Sequence, residues 1–460
     1  MHAAATLLVA DEAPDGGVGV LEAIERAAQA SAAQIGLAAI TGVLDWASTH
    51  TPARAACPGA ADLGADGADA AGHDARLVAR RPKTVRTLLG PVDLVRGYYH
   101  CAGCRRGFAP LDTRLGVQGG SLSPGLERAC ALAGAEMPYA KSFEFIGTVT
   151  GLDLASTSTL ARATRSEGTR ARDLIAAEQQ AARPGPPAAA GTADGTGPDL
   201  CYIVLDGTGA PMLPRECQGR AGKDGGRAGT REVKIGCFFT QSGTDPATGD
   251  PVQDPGSATY ISTFAPAAQF GAQAKGEYHR RGFDQIRQPV VLGDGAHWIW
   301  NIADLHFPQA TQIVDYFHAH EHLADLTKLL TPTLDKDPAA FEQRLVDALD
   351  LGDTDAITTA VKDLHLDHCA PELVKPARTE VGYFAAHRHR MQYADFKANG
   401  YYIGSGPVES ACNTIVKQRA KRAGMHWSIH GLHPVLALRT LRQSSREHVL
   451  WPGPSPTPQT

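Results

Sequence analysis

The chain has 460 residues, 43% of them hydrophobic, and a formal net charge of −5, enough for two or three domains with separate cores. Nine cysteines are too few for a disulfide scaffold, and most stand singly in apolar surroundings, as Cys201, Cys237 and Cys412 do, so reduced core thiols are expected. No run reaches the roughly 20 uninterrupted apolar residues that span a bilayer, and the start MHAAATLLVADEAPDGG lacks a basic leader, so no membrane is expected and the location is read as cytoplasmic.

In the first region, 1–76, an apolar stretch at 18–44 has the spacing of one or two helices, and 51–76 is unpatterned and reads as loop. Region 77–121 contains TVRTLLGPVDLVRGYYHCAGCRRGFAPL, which alternates apolar and polar residues about Gly90-Pro91. That predicts a β-hairpin running into a Cys-x-x-Cys knuckle at Cys101 and Cys104, half of a zinc ribbon. The second knuckle is missing. Zinc would have to recruit Cys57, His73 or His100; otherwise the pair are ordinary thiols.

Residues 122–182 switch to a helical period through Leu126, Ala129 and Cys130, break at Gly151-Leu152-Asp153 and resume at Ser156 or Ser158. Two helices about a glycine-containing turn make either a helix-turn-helix that contacts DNA or a plain packed pair. The stretch 183–198, RPGPPAAAGTADGTGP, cannot form a core and marks a linker.

Strands are then predicted at 201–205, 232–240 and 258–264, a helix at 267–288, a strand at 289–292, a helix at 298–305 and a strand at 311–314. The order β-β-β-α-β-α-β makes an α/β mixed sheet flanked by helices, and the unbroken apolar runs at 203–205 and 290–292 suit strands buried on both faces. This core takes in 199–320 and 401–446. Between them 321–400 is helical, an all-α insertion, a last amphipathic helix starts near Pro407, and 447–460 is a C-terminal tail.

Two strands finish in an acid and a glycine, VLDG at 204–207 and LGDG at 292–295, placing Asp206 and Asp294 at strand ends where such a sheet opens to ligand. Asp-Gly is also ordinary turn chemistry. Glu409 follows the flexible GSGP at 404–407 and opens the last helix, so its carboxylate can reach the sheet edge; acids also suit a first helical turn for the macrodipole alone.

The charge is unevenly spread: 375–446 holds twelve Lys or Arg against Glu380, Asp395 and Glu409, a local excess that fits an anionic partner. Arg215, Arg220, Lys223, Arg227, Arg231 and Lys234 lie among glycines close after Asp206, and Lys417, Arg419, Lys421 and Arg422 follow Glu409. Both groups are candidates for DNA backbone contact. Trp298 and Trp300 read as core or as a base-stacking surface.

This succession of strands and helices is that of an RNase H-like fold. The segments DGTGAPMLP, GRAGKDGGRAGTREVKIGCFFTQ, VVLGDGAHWIWNIAD, QIVDYFHAHEHL and YIGSGPVESACNTIVKQRAKRAGMHW resemble insertion-sequence transposases of the ISKra family, kin to Mutator-like elements. The resemblance implies a DDE triad of Asp206, Asp294 and Glu409, with the helical insertion before the glutamate. Terminal inverted repeats and target DNA are the implied partners, which would place the chain at the nucleoid. Two Mg²⁺, replaceable by Mn²⁺, would be held with Asp206 bridging, since paired hard cations stabilise attacking and leaving oxygens. Asp315 and His318 match an acid-x-x-His motif of such relatives and are candidates for a role beside the site. Pairing two element ends implies a homodimer or larger assembly.

The rivals are a domesticated DNA-binding protein of this fold, a structure-specific nuclease, and a glycosidase, which also needs two acids but leaves the basic segments without a purpose. A zinc site from His318, His320 and His322 competes for the histidines.

Overall fold

In a computed structural model the described residues are 20–58, 74–152, 154–185, 198–222, 225–334 and 337–453. Lys223, His73, Asp153, most of the linker and the end of the tail lie outside them. The chain divides into two compact units, Met1–Thr164 and Arg165–Thr460.

In the first unit the apolar stretch expected to form one or two helices forms one unbroken helix, α1 (Val20–Thr49). Strands β1 (Arg54–Ala56), β2 (Asp74–Thr87), β3 (Gly90–Cys101) and β4 (Arg106–Phe108) form an antiparallel sheet in that order. The hairpin is as expected: Thr87 pairs with Gly90 across Leu88-Leu89, and Gly90 has φ +133°, a value only glycine holds easily. The unpatterned 51–76 supplies β1 and the start of β2, so the loop reading fails at its ends. A three-residue strand is too short to show a period.

After α2 (Pro110–Arg114) come three helices where two were expected: α3 (Pro124–Glu136), α4 (Tyr139–Thr150) and α5 (Thr157–Ala181). The unexpected break falls at Met137-Pro138, where proline disfavours helix in the residue before it. Ser123 caps α3, Gly151 ends α4 in the left-handed region, and the Ser156 hydroxyl accepts the Thr159 N–H at the start of α5. Leu122, Leu126, Cys130, Ile146, Leu154 and Leu160 form their shared core.

The second unit is built on a five-stranded sheet of β5 (Leu200–Pro211), β6 (Thr230–Gln241), β9 (Thr259–Thr263), β10 (Gln288–Gly293) and β11 (Thr311–Val314), in the order β11-β10-β5-β6-β9. A small hairpin, β7 (Gly243–Thr244) with β8 (Pro251–Val252), interrupts the run. Strands β5, β10 and β11 are parallel and β6 and β9 antiparallel to their neighbours, so the sheet is mixed. Helices α6 (Ala267–Arg280) and α7 (His297–His306) follow β9 and β10. From Cys201 to Leu205 no side chain is exposed. Each fully buried aliphatic of this run contributes roughly 1.5–3 kcal/mol, which fixes the strand and, through it, the register of Asp206 and its successors.

The insertion is helical throughout: α8 (Tyr316–Leu330), α9 (Pro338–Leu351), α10 (Thr354–Lys362), α11 (Pro371–His387) and α12 (Tyr393–Ala398). The helix expected near Pro407 is α13 (Gly406–Ala411), which widens into a π-helical turn at Cys412–Lys417 before α14 (Gln418–Ala420). It is not the last. The buried α15 (Ile429–Gln443) comes after it, capped by Ser428; Gly431 and Pro434 inside it conceal the helical pattern.

Candidate functional site: a carboxylate cluster on the mixed sheet

Strands β5 and β10 pair in parallel from Leu200↔Gln288 to Leu205↔Gly293. The next residues are Asp206 and Asp294, so the shared register alone brings the two acids side by side. Asp294 does follow a strand end, but Asp206 does not: β5 continues to Pro211 against Thr230 of β6. The Asp-Gly that resembled a turn is mid-strand, and a Cβ on Gly207 would have to displace only the Glu232 side chain. Trp427 pins the far end of this ribbon, its N–H donating to the Pro211 carbonyl at 3.1 Å and its carbonyl accepting from Leu213 at 2.8 Å.

Asp294 is shaped by a turn and by the insertion. Its Oδ1 accepts the Ala296 N–H at 3.0 Å, just before α7. The Tyr383 hydroxyl of α11 donates to the Asp294 carbonyl at 3.3 Å, and the tyrosine ring occupies the space where a Cβ on Gly295 would sit. His322 stacks on that ring with centroids 4.0 Å apart, and its Nδ1 lies 2.7 Å from Glu380. Sequence reasoning missed Tyr383, since a tyrosine on a helical face carries no distinguishing pattern.

Glu409 is delivered by a clamp. Asp315, 1% exposed, caps α8 by accepting the His318 N–H at 2.6 Å, and its other oxygen accepts the Ser405 N–H. Ser405 in turn donates from its hydroxyl to Glu409 Oε1 at 2.8 Å. The Asp315 N–H bonds the Gly293 carbonyl at 2.8 Å, tying the clamp to the strand that carries Asp294. Of the acid-x-x-His pair, Asp315 thus reaches the cluster through Ser405. The His318 imidazole instead lies 3.5 Å from Glu321 and edge-on to His322. Ser405 belongs to the GSGP segment, where the glycines drew attention away from the serine.

The helix after Glu409 packs on β5 and β6, and Cys412, expected to be a plain core thiol, donates from Sγ to Asp206 Oδ2 at 3.1 Å. Cys412 begins the π-helical turn, a feature that takes carbonyls out of the regular ladder. Buried Arg439 of α15 donates to the carbonyls of Thr414 (3.1 Å) and Ile415 (3.0 Å) there. Burial raises the Asp206 pKa above the usual carboxylate range; hydrogen bonds from Cys412 and Gly207 oppose the rise, and the charges of Asp294 and Glu409 add to it. Tyr383 is pushed up by burial and then by Asp294, Asp315 and Glu380, which keeps it a neutral donor.

The basic candidates scatter. Lys421 stands beside the cluster, its ammonium 3.2 Å from Thr208 Oγ1, and burial with the Lys417 charge lowers its pKa. Lys417 and Arg422 are exposed. Arg419 is not: it is 1% exposed and lies over the Trp427 ring at 4.8 Å, so it serves packing rather than a surface contact. Arg215, Arg220 and Arg227 are exposed, Arg227 donating to the Pro214 carbonyl. Arg231 and Lys234 stand in β6. Arg231 donates to the Glu216 carbonyl at 3.1 Å, while Lys234 is buried, paired with Glu232 and 5.0 Å from the Trp298 ring centroid. Trp300 is core.

In the first unit Cys57, just past β1, joins Cys101 and Cys104, the three sulfurs lying within 4.8 Å of one another. His100 cannot join them, because neighbouring residues on a strand face opposite ways and His100 is exposed where Tyr99 and Cys101 are buried. The Cys101 thiol is lowered chiefly by the Cys104 N–H, 3.4 Å from its sulfur, whereas burial and the neighbouring thiols push Cys104 up to about 11. Among the described residues this is the cluster with metal-ligand spacing; the histidines of α8 do not converge.

No family model and no curated protein matches the chain. Among solved structures, the Drosophila P element transposase strand transfer complex aligns at 10% identity over 74% of this chain and 83% of that one. The TM-score is 0.24, too low for the alignment to bear on fold or function.

Proposed function

We propose that the chain is a metal-dependent enzyme that cuts and joins DNA, a DDE-type transposase with an RNase H-like core. The observation that carries the reading is that Asp294 and Glu409, from two other segments, lie near enough to Asp206 for their charges to add to the rise that burial gives its pKa. Counted along the chain, the sheet order is 3-2-1-4-5 once the small hairpin is set aside, with the acids following the first and fourth strands' shared register and opening a late helix. That supports the RNase H-like assignment, as does the resemblance in the sequence.

The donor set fits divalent cations. All three groups are hard oxygens, and a half-buried carboxylate facing two more is short of positive charge. Asp206, Asp294 and Glu409 are the residues that would hold Mg²⁺. When bound, such ions activate a water or a DNA 3′-hydroxyl and stabilise the leaving oxygen. The chain's own residues set the frame: Ser405 orients Glu409, Cys412 orients Asp206, Tyr383 holds the Asp294 turn, and Lys421 offers a cation to the phosphate being cut. The exposed Arg215, Arg220, Arg227, Lys417 and Arg422 would track the DNA backbone, and Arg419 and Lys234 would support from within.

The test is cleavage of a duplex carrying the terminal inverted repeats of the element that encodes the chain, with and without Mg²⁺. Cutting at the repeat ends that needs both Mg²⁺ and Asp206 supports the reading. Cutting undiminished by Asp206→Ala would sink it, and cutting of branched or nicked DNA without regard to the repeats would favour a structure-specific nuclease.

A second centre is favoured by the arrival of Cys57 beside Cys101 and Cys104. Three sulfur donors suit a structural zinc ion in the first unit. Zinc measured at one equivalent per chain, and lost in Cys57→Ser, is the expected result; a metal-free chain of unchanged stability leaves three thiols.

A further inference from the structure

Helix α1 has two apolar faces and only one is used. At 100° per residue, Leu37, Ile40 and Leu44 point one way. On that side Leu37 meets Gly90, Ile40 and Leu44 line an apolar cavity of about 510 Å³ with Leu88, Leu89 and Leu94, and Ser48 bonds the Val95 carbonyl. On the opposite side Leu21, Ala28, Ala32, Ile35, Ala39 and Trp46 fall on one strip about 60° wide, with Val43 at its margin. The large members are open to solvent: Leu21 is 68% exposed, Ile35 73%, Val43 67% and Trp46 63%. The helix carries four charged residues, Glu22, Glu25, Arg26 and Asp45, and none lies in the strip's centre.

We infer that this strip is the contact between two copies of the chain, packed antiparallel about a two-fold axis near residues 33 and 34. Spacings of seven, four, three, four and seven residues map the strip onto itself when reversed. Leu21 then faces Trp46, Ala28 faces Ala39, and Ala32 faces Ile35. Crossing helices approach most closely at their midpoint and part towards their ends. Ile35 and the alanines at 28, 32 and 39 lie along the middle of the strip, Ile35 against the small Ala32, and Leu21 and Trp46 stand at its ends, where they fill the widening gap. A parallel pair would set Glu25 against Glu25 and align the two helix dipoles; the antiparallel pair sets Glu25 opposite Gly42 and opposes the dipoles.

Thirty residues of helix span about 45 Å, and a strip roughly 10 Å wide buries about 900 Å² over the two copies, just short of the roughly 1,000 Å² that a specific contact needs. The hairpin tip extends it, because Leu89 packs against Gly36 at the strip's edge and Leu88 and Leu89 are 46% and 37% exposed.

A bilayer is the other occupant that length and composition admit, since Leu21–Thr49 is long and apolar enough to cross one. The helix is fixed to a hairpin carrying Arg80, Arg81, Lys83, Arg86 and Arg96, and Arg80 itself bonds the Ser48 carbonyl. Cations this close to the helix oppose insertion into hydrocarbon.

Light scattering on the full chain without DNA, at tens of micromolar, is expected to give twice the monomer mass. Ile35→Glu, a change at an exposed position that should leave the circular dichroism and melting curve unaltered, is expected to weaken the dimer at least about tenfold. Cross-linking holds the inference testable if that variant misfolds: a mixture of Leu21→Cys and Trp46→Cys chains should join one to the other. A monomer at these concentrations, a dimer indifferent to Ile35→Glu, joining of Leu21→Cys only to itself, or adsorption of the monomer to phosphatidylcholine vesicles would each overturn it. None of these outcomes touches the carboxylate site, so the DNA-cutting reading stands or falls separately.

Discussion

The carboxylate cluster and the thiol cluster are built in opposite ways. The acids come from positions 206, 294 and 409 and meet on a buried sheet; the thiols come from positions 57, 101 and 104 on a small antiparallel one. Burial raises the Asp206 pKa, and the charges of Asp294 and Glu409 add to the rise. In the thiol cluster burial and the neighbouring sulfurs hold Cys104 up, while the Cys104 N–H draws Cys101 down. Metal should therefore relieve the acids and, for the thiols, replace protons by cross-links.

The contrast is broken most severely at the acids. Asp294→Asn or Glu409→Gln is expected to lower Mg²⁺-dependent DNA cleavage by about 10³-fold or more while leaving the chain folded, since each removes a repelling charge along with a ligand. Single-turnover gels and circular dichroism check both halves; near-normal cutting by either variant would remove that residue from the set. At the thiols the effect is on stability. Cys57→Ser is expected to lower the melting temperature of the first unit by roughly 10 °C in zinc-supplemented buffer, the shift that about 2 kcal/mol produces in a small unit, and by little after chelation. Equal losses in both buffers would mean packing rather than metal.

Tyr383 tests whether the insertion shapes the acid site. Tyr383→Phe keeps the ring over Gly295 and removes the bond to the Asp294 carbonyl; Tyr383→Ala removes both. Mn²⁺ binding by calorimetry is expected to weaken several-fold in the alanine variant and less in the phenylalanine variant, as for other supports of a metal ligand. Identical affinities in all three chains would leave Tyr383 a packing residue.

The smallest expected effect is on pH dependence. Because the folded Asp206 pKa lies above its unfolded value, the folded chain binds more protons in the window between them, and stability falls as pH rises through that window. In EDTA, melting temperatures should decline as pH rises from the ordinary carboxylate range through the raised Asp206 pKa and then level. Asp206→Asn should flatten that decline, and Mg²⁺ should oppose it, because the cation binds the charged form. A slope unchanged by the asparagine would assign it to other groups.

The sheet was legible from sequence because its strands are apolar runs bounded by polar breaks, as at 289–292. So was the pairing of Asp206 with Asp294, although for an incomplete reason: the strand-end signal holds for Asp294, while Asp206 owes its place to register within a longer strand. Gly207 misled because Asp-Gly is turn chemistry, whereas here it lies inside a strand. Cys57 was only one of three alternatives, since nothing in an unpatterned stretch shows which residue a short strand carries back to the knuckle. Arg419 shows the limit of counting charges along a helix, where one basic residue in four turns inward onto a tryptophan.

The insertion also sets an order in time. Between Asp294 and Glu409 stand about 115 residues, which a ribosome adding roughly 5–20 residues per second supplies in about 6 to 23 seconds. Over that interval the nascent chain holds both aspartates without the glutamate, and the Asp315 and Ser405 clamp cannot close until α8 to α12 have been made. The site is therefore unarmed through most of its own synthesis. A chain cut short anywhere in the insertion would be born without the last carboxylate, however well its sheet had folded.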